Sequence, residues 1–184
     1  MSTRGNSNAR GRATTRAIES AAVRLAVDHG AAALTVAQIC AEAGVAPRTF
    51  FHHFETKEDA ILGREMPRVD EQRTREYLSS PSVGVLSGAL SLVVLPAAEG
   101  DDAQVLLARL SVLRTSPALA ERQAQRLRPL ADEVRGIVRL KLAGLDPQRT
   151  DADLDVAAAL ITQMASSLML TSAITETTSY GLTV

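Results

Sequence analysis

An all-α chain is what this sequence predicts, on three observations. Apolar residues recur at i, i+3 and i+4 over stretches of helix length. Gly, Pro and Thr fall at the joints, where helices stop and start. No stretch of useful length alternates apolar and polar residues as a half-buried strand does. Composition agrees. Of 184 residues, 46% are apolar, 22% charged and 3% aromatic. That supplies a core for one domain or two closely packed ones, and excludes a disordered chain. No apolar run approaches the ~18–20 residues of a membrane span. No apolar segment of a secretory signal opens the chain. Cys40 is the single cysteine, so no internal disulfide can form. A reducing compartment fits, and the cytoplasm is the expected location.

The elements follow in order. Residues 1–9, rich in Gly, Asn, Ser and Thr, read as a disordered arm. A first helix is expected from about Arg10 to His29, with Ile18, Ala21, Ala22 and Leu25 at helical spacing and Gly30 as its stop. A second opens at Thr35. There Thr35 and Gln38 have the spacing of a capping box, in which each satisfies a free amide of the other's turn. Val36, Ile39, Cys40 and Ala43 form its apolar side, which makes Cys40 a small core residue. Gly44 ends it. Pro47 begins a third helix, to about His53, at the position where a missing amide costs nothing. Thr56 caps a fourth, with Glu58 and Asp59 in its first turn. That helix is expected to reach about Leu78, kinked or broken at Pro67. Further helices are expected over 83–95, 101–114, 118–142 (interrupted by Pro129) and 151–174, with joints at Pro81, Pro96 with Gly100, Pro117 and Pro147.

Charge is uneven. The whole chain carries −1, yet its first 27 residues hold Arg4, Arg10, Arg12, Arg16 and Arg24 against Glu19 alone. Such a basic end fits contact with a polyanion; it also fits a solvated arm.

The informative stretch is Leu34–Leu62, LTVAQICAEAGVAPRTFFHHFETKEDAIL. Two short helices joined by a tight turn containing Gly44 make a helix-turn-helix, whose second helix enters the DNA major groove. In that helix Arg48 can donate two hydrogen bonds to a guanine edge, and Thr49 can meet a thymine methyl or a phosphate. Phe51 and His52 follow, while Phe50 and Phe54, four apart, are expected to pack inward. Thr35, Thr56 and Lys57 sit at helix starts, where amides and dipole favour phosphate. Gln38 and Pro47 belong to the same set of candidate DNA-binding residues. His52 and His53 point about 100° apart on a helix, a poor arrangement for a metal; no metal site and no cofactor is expected.

This stretch resembles the TetR/AcrR family of transcriptional repressors. The resemblance rests on the Leu-Thr-Val opening, Ile39-Cys40-Ala41-Glu42-Ala43-Gly44-Val45, the Thr49-Phe50-Phe51-x-His53-Phe54 helix and Lys57-Glu58 one turn later. It implies a helix-turn-helix domain over 10–55, a helical ligand-binding and dimerisation body over 56–184, and a homodimer joined by its last helices. By the same resemblance Thr35, Arg48, Thr49, Phe51, His52 and Lys57 are DNA-facing. Two departures stand out. Ala46 occupies a position where the family often has Ser or Thr, so that helix start loses a side-chain cap worth ~1 kcal/mol. Phe51 is often Tyr, so a phenol-to-phosphate bond is absent. The family also usually packs two helices at its dimer face; here one strongly apolar helix precedes the final residues.

The resulting expectation is a ligand-released repressor that binds a palindromic operator as a homodimer, with the N-terminal arginines Arg10, Arg12 and Arg16 reaching phosphate or the minor groove. The alternative is a helical small-molecule-binding protein or enzyme with a vestigial helix-turn-helix. No Gly-x-Ser-x-Gly, His-Glu-x-x-His or Gly-rich phosphate loop occurs, and no histidine follows His53, so no enzyme is expected. In the body, Arg109 shares a stripe with Val105 and Val112. It is expected either to meet the anionic group of an otherwise apolar effector or to pair with a neighbouring helix. The helix from Asp151 is apolar over so wide an arc, through Ala157, Leu160, Ile161, Met164 and Leu168, that burial on more than one side is expected, as in a dimer bundle.

Overall fold

The structure is a computed structural model that describes residues 4–95 and 101–179, with side chains over 9–95 and 104–169. It is all-α. The described residues form nine helices and one two-residue antiparallel ladder. Two compact units divide the chain: residues 1–65 with 97–123, and residues 66–96 with 124–184.

In the first unit α1 (Arg4–His29) packs against α2 (Val36–Ala43), α4 (Lys57–Leu62) and α7 (Asp101–Thr115), and α3 (Pro47–His53) packs on α2. Of the residues expected at helical spacing on α1, Ile18, Ala21 and Ala22 are buried and Leu25 is half-buried; Ala26 is buried beside them. Ile39 and Cys40 of α2, Phe50 and Phe54 around α3, and Ala60, Ile61 and Leu62 of α4 complete the core. Val112 of α7 and Leu119, near the start of α8 (Pro117–Leu145), join it. The helix begins at Arg4 where a disordered arm is expected from residues 1–9. Once the packed turns from Ile18 onward exist, each added residue extends an established helix at little cost, unlike nucleation of a new one.

The stretch expected to be one long fourth helix is three elements. α4 stops at Leu62, Gly63 follows with φ +79, β1 (Arg68–Val69) comes next, and α5 (Glu71–Ser79) starts at an Asp70 cap. β1 pairs antiparallel with β2 (Val93–Val94), directly after α6 (Val85–Ser91). The 83–95 helix is therefore shorter than expected. Two-residue strands carry too few residues to show a period.

The second unit is built around Tyr77, Leu92, Val138 and Ala158. The Tyr77 hydroxyl donates to Val85 O at 3.0 Å, and burial pushes its pKa up to about 12. Its ring lies on Gly88, where an added Cβ would stand 2.3 Å from Cδ2; only glycine allows α6 to approach this closely. Lys141 is buried here as well. Its Nζ donates to Tyr77 O at 2.7 Å and Ser80 O at 2.5 Å, so a cation closes the end of α5. α8 continues through Pro129 without the expected interruption. Burial of Val134, Val138 and Leu142 just beyond it supplies packing that offsets the ~3 kcal/mol of an internal proline. α9 (Asp151–Ser179) packs on α6 and is tied to α8 by Arg139, which donates to Asp151 Oδ1 at 2.5 Å and Asp155 Oδ1 at 2.7 Å. The joint expected at Pro96–Gly100 lies outside the described residues, as do residues 1–3 and 180–184.

Candidate nucleic-acid interface

The capping box at the start of α2 forms as its spacing demands. Thr35 N donates to Gln38 Oε1 at 2.9 Å, and Gln38 N donates to Thr35 Oγ1 at 3.3 Å. The helix ends at Gly44, φ +65, ψ 34, a left-handed conformation that costs glycine nothing and other residues about 1 kcal/mol or more. Val45 N returns to Cys40 O at 3.0 Å. The chain thus reverses within a few residues and enters α3 at Pro47. Ala46 leaves that start without a side-chain cap.

Orientation of α3 follows from its phenylalanines. Phe50 is fully buried and Phe54 nearly so, their rings 5.9 Å apart. With those two inside, the helical period turns Pro47, Arg48, Phe51 and His52 outward, and all four are exposed. Phe51 is 59% exposed, its ring edge-on to Phe50 at 5.4 Å. Arg48 has no hydrogen-bond or ion-pair partner among the described residues. Thr49 is half-buried, and Thr35 and Gln38 are exposed.

His53 faces the other way. Its Nδ1 lies 2.9 Å from Thr15 Oγ1, whose own hydrogen goes to Gly11 O at 3.0 Å. Nδ1–H is then the donor, and the imidazole links α3 to α1. Burial first, then the charges of His52 and Arg64, hold its pKa below the ordinary histidine value.

Two expected roles change. Lys57 does not keep its ammonium for phosphate. Nζ donates to Ala31 O at 3.0 Å, Ala32 O at 2.9 Å and Leu34 O at 2.7 Å. An ammonium has three hydrogens, and three carbonyls take them. Arg109 is taken up by neighbouring helices. Nη2 reaches Glu19 Oε2 at 3.1 Å and Nε donates to Ile61 O at 2.7 Å, so it makes the helix pairing that was its other expected role. Glu19 Oε1 also accepts from Arg64 N at 2.8 Å. One carboxylate thereby joins α1, the end of α4 and α7. At the other end of α4, Arg122 donates to Asp59 Oδ1 at 2.8 Å while Asp59 N caps onto Thr56 Oγ1 at 3.2 Å. Spacing along the chain could not reveal these pairs, since Glu19 and Arg109 lie 90 residues apart. The one hint was Glu19 itself, the lone acid in a basic segment.

An exposed helix on a tight turn, packed on α2 and tied to α1 through Thr15 and His53, is the arrangement of a helix-turn-helix DNA-binding regulator. The family model of the bacterial regulatory proteins of the tetR family matches residues 18–61, the segment that forms α1 from Ile18 through most of α4, so this segment is similar to the DNA-binding part of those regulators. No curated protein matches the chain. Among the described residues no helix is long and apolar enough to cross a membrane.

Proposed function

We propose that this protein is a ligand-released repressor that binds a palindromic DNA operator as a homodimer. One observation carries the reading: α3 buries Phe50 and Phe54 and exposes Pro47, Arg48, Phe51 and His52 along one side. Arg48 would read a guanine edge, Thr49 a thymine methyl or a phosphate, and Phe51 and His52 would pack along the groove wall. Thr35, at the capped start of α2, would face phosphate. Two-fold symmetry sets half-sites one helical turn apart, ~34–36 Å, or a small multiple of that.

Dimerisation is supported by α8 and α9. Val156, Leu160, Met164 and Leu168 form an i, i+4 stripe along α9 and are exposed, Leu160 by 60%, as are Leu140 and Leu145 of α8. Covering each such side chain is worth about 1.5–3 kcal/mol when complete. Gly136 and Gly144 on α8 meet nothing within 4 Å of an added Cβ, which leaves room for a second helix to approach. α8 and α9 would then be the two helices that the family usually packs at its dimer face.

Ligand response is supported by Thr162. Its Oγ1 is buried and has no hydrogen-bond partner among the described residues. A buried hydroxyl left unpaired is costly, and a polar atom of an effector would satisfy it. By linkage, an effector that prefers a different spacing of the two recognition helices than DNA does would release the operator.

A fluorescence titration against duplex DNA flanking the protein's own gene, at two salt concentrations, tests the reading. Sequence-selective binding with a steep salt dependence is expected. Equal affinity for any duplex would sink it.

A further inference from the structure

We infer that Lys57 is a positioning residue that sets the angle of the recognition helix, and that it contributes no phosphate contact. The inference rests on the DNA-binding reading above and deepens it. Lys57 is the first residue of α4. A cation there opposes the helix dipole, so α4 itself gains nothing from it. What the ammonium does satisfy is the turn between α1 and α2, through the carbonyls of Ala31, Ala32 and Leu34, all within 3.0 Å. These oxygens follow the end of α1, where carbonyls lack helical partners. Glu58 Oε1, at 4.0 Å, adds a weak ion pair at most.

The consequence is topological. Leu34 immediately precedes the Thr35 cap of α2, and Lys57 immediately follows the Thr56 cap of α4. The 2.7 Å bond from Lys57 Nζ to Leu34 O therefore closes the two ends of the segment that contains α2, the Gly44 turn and α3. Inside that bracket α3 is held on its inner side by Phe50 and Phe54, packed on α2, and by the Thr15–His53 bond at its end. Opening the bracket leaves those contacts in place and loosens the angle at which Arg48 and Thr49 are presented. Base readout depends on that angle; nonspecific attraction to the backbone does not.

Chemistry separates this role from a phosphate contact. Three carbonyls converging on one point suit the tripod of an ammonium. The planar guanidinium of arginine cannot match that arrangement, yet it binds phosphate at least as well as lysine does. The experiment compares wild type, Lys57→Met and Lys57→Arg. Each is titrated with a duplex selected by the wild-type protein from a random library, and with random-sequence duplex, across a salt series. Urea melts give the folded fraction, and affinities are corrected for it. Both variants are expected to lose operator-to-random preference about 5- to 150-fold, the worth of one base pairing. The slope of log affinity against log salt should stay at the wild-type value. Three results overturn the inference: rescue by arginine; a slope shallower by about 0.9 in Lys57→Met, as for one lost phosphate contact; or a stability loss with corrected preference unchanged. If the wild type itself selects no duplex, the DNA-binding reading fails, independently of Lys57.

Discussion

Truncating Arg109 tests whether this side chain braces the DNA-binding unit. The guanidinium makes two bonds, to Glu19 Oε2 and to Ile61 O, and the side chains of the ion pair are 14% and 15% exposed. Arg109→Ala leaves the Glu19 carboxylate largely desolvated, with Arg64 N as its one remaining donor among the described residues. Loss of a charge-assisted bond in such a place costs about 1.5–3 kcal/mol, and the freed carbonyl adds about 1. The partial exposure keeps the total below the 3–5 kcal/mol of a wholly buried pair. We expect a loss of about 2–4 kcal/mol, or a fall in Tm of roughly 5–15 °C at 2–4 °C per kcal/mol for a chain of this length. Urea melts of Arg109→Ala, Glu19→Gln and the double variant give the coupling, expected at about 1–3 kcal/mol. Destabilisation under ~0.5 kcal/mol, or additive single changes, would refute the bracing role. A thermal-shift panel of fatty acids, acyl-thioesters and aromatic acids extends the test. An anionic compound that stabilises wild type far more than Arg109→Ala would return the guanidinium to effector binding.

Other outcomes follow from the same geometry. Arg48→Ala, at an exposed residue without partners among the described residues, should leave the melting curve unchanged and relax preference at one base pair by about 1–3 kcal/mol, read by competition with single-base variants of the operator. Leu160→Glu places a charge in the exposed stripe of α9; sedimentation velocity should show a folded species of half the wild-type mass. The pH dependence of stability should carry the signature of His53. Its folded pKa lies below its unfolded value near 6.5, so its share of stability is complete above that value and is lost as pH falls through the folded one. Wild type should therefore weaken from pH 7 to 5 more steeply than His53→Asn; parallel curves would show that burial of the ring has no such effect.

The order and location of the DNA-binding helices were legible because their signals are local. A Thr-x-x-Gln box, a left-handed glycine and a proline at a first turn act within four residues of themselves, and the structure has each where its spacing puts it. The outward side of α3 was legible for a related reason: two phenylalanines four apart can share one side of a helix and bury together. The stretch after Leu62 was not legible. Its turn and its two-residue ladder with Val93–Val94 depend on a partner more than twenty residues away, and a pair that short leaves no period to read.

Charge tells the same story from the other side. Which residues are cationic is written in the chain; what each cation meets is decided by folding. Arg48, Lys57 and Arg109 are alike as sequence, yet one is left in solvent, one is spent on three carbonyls and one is locked to Glu19. The reason is range. Capping and helical periodicity are satisfied within a turn or two of chain, so sequence alone determines them. An ammonium or guanidinium several bonds from its backbone takes whichever acceptors the packed helices bring within about 3 Å, and only the tertiary structure chooses those.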